Sequence, residues 1–282
     1  MATSDAPVEI GNVALVVRDL DKVANFYRDV IGLHPLSRDG EVATLGIGSK
    51  VLLELRGDKA AALRNPRGAG LFHTAFLLPS HTELGNWLRH MAIGQHRIQG
   101  ASDHLVSEAI YLADPEGNGI EVYADRPRDS WRWTGGEIAM STEALDLNAL
   151  LADANAEWKG VPEGSVIGHV HLQTGAVPEA EAFYSGTLGM AITTHYPGAA
   201  FYSSGGYHHH FATNIWNSRG AGPKPEGAAG LAEVVLSADT PEIAAVAERA
   251  GKAVGANSRS LSLVDPWNLT VTLSPKETQH AG

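Results

Sequence analysis

Cysteine is absent from the 282 residues, and with it go disulfides, zinc–thiolate sites and thiol nucleophiles. Any metal must therefore be held by nitrogen and oxygen, which 13 histidines can supply. Clusters of lysine and arginine are also absent. With a formal net charge of −11 there is no basic surface for phosphates, so a nucleic-acid partner is not expected. No apolar run approaches the roughly 20 residues needed to cross a bilayer, and the opening MATSDAPVEI has neither the basic start nor the apolar centre of a signal peptide. Membrane association is not expected, and the cytoplasm is the expected location. What remains, 44% hydrophobic and 19% charged residues, is the composition of a globular chain with length for two ordinary domains.

The chain repeats itself. NVALVVRDLDKVANFYRDVIGL, from Asn12, lies without a gap on HVHLQTGAVPEAEAFYSGTLGM, from His169. Val13 meets Val170, Leu15 meets Leu172, Phe26 and Tyr27 meet Phe183 and Tyr184, and Gly32 meets Gly189. Each copy reads as a strand, a turn, an amphipathic helix and a glycine stop. Strand-like runs follow, EVATLGI and KVLLELRG in the first copy, AAFYSS and YHHHFATNIW in the second. The same order returns from His73 and from Glu233, each time with an Asp-Pro turn before the last strand. Four βαβββ modules result. A unit of about 50 residues is too small to bury its own sheet, so modules should pair. The stretch 127–165 carries one helical pattern and no strand signal, and reads as a linker that covers part of the structure. The expected divisions are 8–126 with two modules, the linker 127–165, and 166–276 with two more.

Four such modules resemble the vicinal oxygen chelate superfamily. The segments GYHHHFATNIW and DHLVSEAIYLADPEGNGIEVYADRP resemble its catechol 2,3-dioxygenase branch, the type I extradiol dioxygenases. The resemblance runs from about Ile10 to Leu273 and implies an α+β fold of four βαβββ modules paired into two incomplete barrels. It also implies metal ligands on the first and last strands of modules. Those positions are Asn12 and Glu54 in module one, His73 and Glu121 in module two, His169 and the HHH run in module three, and Glu233 and Thr272 in module four. The intact set is His73, Glu121 and His169. Familiar extradiol dioxygenases keep their site in modules three and four, whereas this set spans modules two and three.

Two imidazoles and a carboxylate with open positions opposite suit non-haem Fe(II), with Mn(II) as the alternative, because substrate and O2 can share the ion. The resemblance further assigns catalytic roles to Tyr111, ten residues before Glu121, and to one histidine of the 208–210 run. Matching the Phe-Ala pair selects His209, and counting from the glyoxalase-type ligand position selects His210. Strand alternation would put the two on opposite faces. The implied reaction is extradiol cleavage of a small aromatic diol by O2. Alternatives within the fold are a glyoxalase-like or thiol-transfer metalloenzyme, with His210 as fourth ligand, and a non-catalytic small-molecule-binding protein. Paired sheets and an acidic surface are compatible with a homo-oligomer.

Overall fold

The computed structural model describes residues 6–254 and 259–276. Each of the first three modules has a strand, a helix and three further strands; module four has two, Leu261–Val264 and Thr270–Pro275, among the described residues. In modules one and three the helix begins as an α-helix (Leu20–Phe26, Val177–Glu181) and widens into a π turn (Tyr27–Ile31, Ala182–Thr187). The irregularity repeats because its cause repeats. Each Phe-Tyr pair turns its tyrosine inward toward the Asp-Pro turn of the following module. Tyr184 donates to Asp265 Oδ2 at 3.0 Å, and Tyr27 is buried beside Asp114. Each such aspartate also accepts backbone amides of its own turn, from Glu116 and Asn118 in one case and Trp267 and Leu269 in the other. The DP motif is therefore a turn and a docking point at once.

Hydrogen bonding pairs module one with module four and module two with module three. Val8–Val17 lies antiparallel to Gly230–Ala238 in a seven-stranded sheet, and Gly70–Leu78 lies antiparallel to Val166–Gln173 in a nine-stranded one. Each sequence half, 8–126 and 166–276, thus contributes one module to each sheet. Within a module the first strand runs parallel to the last, as Gly70–Leu78 does with Gly119–Asp125. This brings the strands Gly119–Asp125, Gly70–Leu78 and Val166–Gln173 side by side.

Alternation divides the residues of these strands between two faces. Phe76, Leu78, Val122, Val170 and Leu172 join the main apolar core. Ala75, Leu77 and Tyr123 belong to a separate cluster on the other face, which carries the candidate site.

The linker differs from its sequence reading. It contains the expected helix, Leu147–Ala152, but also three two-residue strands, Trp133–Thr134, Glu137–Ile138 and Glu143–Ala144. Runs this short leave no periodic signal; they exist because Glu143–Ala144 finds the edge strand Gly100–Asp103 of the nine-stranded sheet and the other two pair with each other. The helix packs on His81–Ile93, which Ser80 caps by accepting from the Glu83 amide. Contact is close at Gly85, where a Cβ would fall 2.5 Å from the Leu150 carbonyl oxygen. No helix among the described residues is long and apolar enough to cross a membrane.

Candidate metal centre and its cavity

His73, Glu121 and His169 meet, each offering one ligand atom, with all three atoms within 4.8 Å of one another. All are buried. Register explains the meeting: Ala75 is the partner of Glu121 on one side and of His169 on the other, and its methyl leaves room between them. Glu121 Oε2 lies 3.0 Å from His73 Nε2 and 3.3 Å from His169 Nε2. Burial would push the Glu121 carboxyl up, but the two imidazoles outweigh it and hold the group well below the usual carboxylate range. Burial brings His169 down to about 4, so that ring is neutral, the form that ligates metals.

The fit to a cation shows in an orphaned atom. Although His73 Nε2 is within ion-pair distance of Glu121, it is not aligned for a hydrogen bond and has no such partner among the described residues. A buried imidazole nitrogen left this way costs stability unless something else occupies its lone pair. Two nitrogens and a carboxylate oxygen facing one buried point match the donor set of a transition-metal ion.

These three residues lie at one end of a cavity of about 260 Å³, whose walls include Phe72, Phe201, Trp216 and Met140. Neither lysine nor arginine lines it. Tyr111, directly opposite Glu121 in the antiparallel register, also lines it. Burial and the Glu121 carboxylate push its phenol well above the usual tyrosine value, so it stays protonated. The Tyr111 hydroxyl is 2.6 Å from His104 Nε2, and His104 Nδ1 is 2.6 Å from the Ser141 carbonyl oxygen. Because a carbonyl only accepts, Nδ1 carries the hydrogen. In the neutral ring Nε2 then accepts from Tyr111.

His209 lines the cavity, its ring 4.0 Å from that of His169. Burial and the surrounding imidazoles push its pKa well below the usual histidine value. His210 does not reach the cavity; its Nδ1 faces the Ser204 amide at 3.2 Å, and its ring lies against Tyr207. The run is not part of a strand, contrary to the sequence reading: the strand is Phe211–Asn214. Gly205 and Gly206, both at positive φ, make the tight turn that precedes it. Thr193 then holds the His208 carbonyl and Tyr202 accepts the His210 amide, which fixes the three rings in different directions.

His171 escaped the sequence reading. It lines the cavity beside His73, its register partner, with ring centroids 4.9 Å apart. Its signal was in the sequence, since HVH places His171 on the same face as His169. Met140, Ser141 and Thr142 of the linker also line the cavity, and nothing local in the sequence marks them.

At the corresponding place in the seven-stranded sheet a side-chain cation sits among acidic groups. Arg56 donates to Glu54 at 2.6 Å and to Glu233 at 2.8 Å, and Thr272 donates to Glu233 at 2.7 Å. Ala14 is the register partner of both carboxylate residues, as Ala75 is of Glu121 and His169. Asn12 pairs with Val235 further along the strand.

The model of the Glyoxalase/Bleomycin resistance protein/Dioxygenase superfamily matches residues 9–122 and 166–260. A catechol-2,3-dioxygenase of Bacillus subtilis is 41% identical over 277 residues, covering 94% of this chain and 96% of the relative. A biphenyl-2,3-diol 1,2-dioxygenase of Rhodococcus globerulus is 27% identical over 166 residues, 56% of this chain and 86% of the relative. Among solved structures, glyoxalase I of Zea mays superposes with a TM-score of 0.57 at 16% identity, covering 95% of this chain and 92% of that one, a likeness of fold. The modules, their pairing and the near-full-length relative together make this chain a member of the glyoxalase/bleomycin resistance protein/dioxygenase superfamily.

Proposed function

We propose that the protein is an extradiol dioxygenase that opens the ring of an uncharged catechol-like diol with O2, using Fe(II) held by His73, Glu121 and His169. One observation carries the reading. A buried His-Glu-His set with an orphaned imidazole nitrogen stands at the end of an apolar cavity, in a chain 41% identical to a catechol-2,3-dioxygenase. When bound, the iron would lower the pKa of the diol hydroxyls and bring diol and O2 together at its open positions.

The chain's own residues supply the rest. Phe72, Phe201 and Trp216 hold a flat ring and exclude water. Tyr111, its hydrogen committed to His104, presents oxygen lone pairs to a diol hydroxyl and orients it. His209, a buried neutral imidazole, takes the remaining diol proton and returns it to oxygen as the ring opens. Both atoms of O2 enter the product, so catechol becomes a hydroxymuconic semialdehyde with no other reductant. The absence of cationic side chains from the cavity wall favours alkyl- or aryl-substituted diols over carboxylated ones, whose charge would be left unpaired.

The test is metal content after anaerobic purification, with absorbance of the yellow ring-opened product from catechol, 3-methylcatechol and 3,4-dihydroxyphenylacetate. Stoichiometric iron and a kcat/KM lowest for the carboxylate are expected. Iron-loaded protein that turns over none of the three would sink the reading.

A further inference from the structure

Behind His209 runs a line of buried polar contacts that substrate binding does not require. Asp125, at the end of Gly119–Asp125, accepts the Tyr207 hydroxyl on Oδ1 at 3.1 Å. His208 Nε2 lies 2.9 Å from the same oxygen, and His208 Nδ1 lies 2.7 Å from His209 Nδ1. The His208 ring is fully buried and wedged against Tyr207 and Trp131, so it cannot turn over without repacking them.

The hydrogens along this line follow by elimination. A carboxylate accepts and does not donate, so His208 Nε2 carries its hydrogen. With its one N–H on Nε2, a neutral His208 keeps a lone pair at Nδ1 and can only accept there. The nitrogen that donates to it is His209 Nδ1. In the neutral His209 ring the other nitrogen, Nε2, is then bare, on a ring that lines the cavity.

We propose that Asp125 and His208 are positioning residues that lock His209 in its Nδ1–H tautomer, so that Nε2 is the atom that takes the substrate proton. The opposite tautomer would present a hydrogen to the diol and could not act as a base. The role given to Nε2 rests on the ring-cleavage reading, whereas the tautomer is a property of the chain. The logic is that of a carboxylate holding a general base in one tautomer, extended here through a second imidazole.

Tautomers are read directly from long-range ¹H–¹⁵N spectra of the full chain labelled with ¹⁵N-histidine and loaded with diamagnetic Zn(II), the His209 signals being assigned by their loss in His209→Gln. His209 is expected as Nδ1–H with a bare Nε2, and His208 as Nε2–H. His208→Phe keeps a flat ring but removes the acceptor. It is expected to leave His209 in a mixture of tautomers, with metal content unchanged. In the iron-loaded variant kcat should fall about 10- to 100-fold, the range for loss of a group that orients another, with KM for the diol unchanged. Asp125→Asn can donate to His208 Nε2 and so reverse the line, and it should give the same kcat loss should the phenylalanine variant not fold. Finding His209 as Nε2–H in the wild type overturns the proposal, as does an unchanged His209 spectrum in the variants. The expected tautomer in a protein that cleaves no diol would instead reject the ring-cleavage reading and leave the tautomer assignment standing.

Discussion

On the proposed reading, side chains at the cavity divide into those that hold and those that react, and substitutions should separate them. His209→Ala is expected to lower kcat about 10²- to 10⁴-fold, the usual contribution of a general acid–base, while iron content stays at the wild-type level by elemental analysis. Loss of iron from that variant would make His209 a ligand. Tyr111→Phe removes one hydroxyl, leaving His104 Nε2 without its partner at 2.6 Å. The diol hydroxyl also loses its acceptor, and a neutral hydrogen bond contributes about 0.5–1.5 kcal/mol, so kcat/KM should drop roughly 2- to 12-fold in steady-state assays at saturating O2. Equal kinetics in the two proteins would remove Tyr111 from the mechanism. The two histidines that sequence left as alternatives differ in environment: His209 faces the cavity and His210 packs on Tyr207 beside the Ser204 amide.

Pairs of elements set how the cavity is closed. The helix Leu147–Ala152 lies so near His81–Ile93 that a side chain at position 85 has no space, with Leu150 O 2.5 Å from an added Cβ. Gly85→Val should therefore lower the melting temperature. Because the linker also carries Met140, Ser141 and Thr142 onto the cavity wall, KM for the diol should rise as well. A melting temperature unchanged within error would mean the contact is looser than the structure has it. A second interface responds to pH. His195, on Ala191–Tyr196, is held by Glu137 of the linker at 2.6 Å and by Glu181 at 3.2 Å, and these carboxylates, Glu137 foremost, raise its pKa above 6.5 against the opposing effect of burial. Its folded-state pKa exceeds the unfolded one, so the contribution is complete below the unfolded value and is lost as pH rises through the folded value. Glu137 is shifted the opposite way by His195, so the pair also weakens in acid as that carboxyl protonates. Thermal unfolding of His195→Gln should differ from wild type at about pH 6 and converge with it by about pH 9. An equal difference at both values would assign the effect to packing instead.

Across the whole molecule, two sheets built from like modules deal differently with a buried polar centre. In one sheet, two histidines and a glutamate leave two nitrogens, His73 Nε2 and His169 Nδ1, without hydrogen-bond partners among the described residues; in the other, Arg56 carries the positive charge between Glu54 and Glu233. Burial would lower the arginine pKa, and the two carboxylates outweigh it. The consequences for metal removal differ accordingly. Chelation should lower the melting temperature in proportion to the logarithm of metal excess over its dissociation constant, as for any ligand of the native state. Arg56→Met should destabilise the protein by about 1 kcal/mol, since the pair is partly exposed to solvent, and should leave iron content untouched. Iron loss in Arg56→Met, by elemental analysis of the folded variant, would show that the sheets are coupled rather than independent.

The modules are legible in the sequence, because each carries its own periodicity, caps and glycine stops, and those are local. The three candidate ligands and Tyr111 came from the resemblance to extradiol dioxygenases carried onto the repeated modules, and the register of Ser107–Ala113 with Gly119–Asp125 sets Tyr111 opposite Glu121. Tertiary structure decided what depends on partners distant in the chain. Pairing of module one with four and of two with three follows from the edge-to-edge hydrogen bonding of their first strands, which no single module encodes. The direction of each ring in the 208–210 run depends on Asp125, Thr193, Tyr202 and Ser204, contacts that alternation cannot foresee once the segment leaves the strand. Likewise the linker becomes a wall of the cavity only because a sheet edge and a helix face are there to receive it.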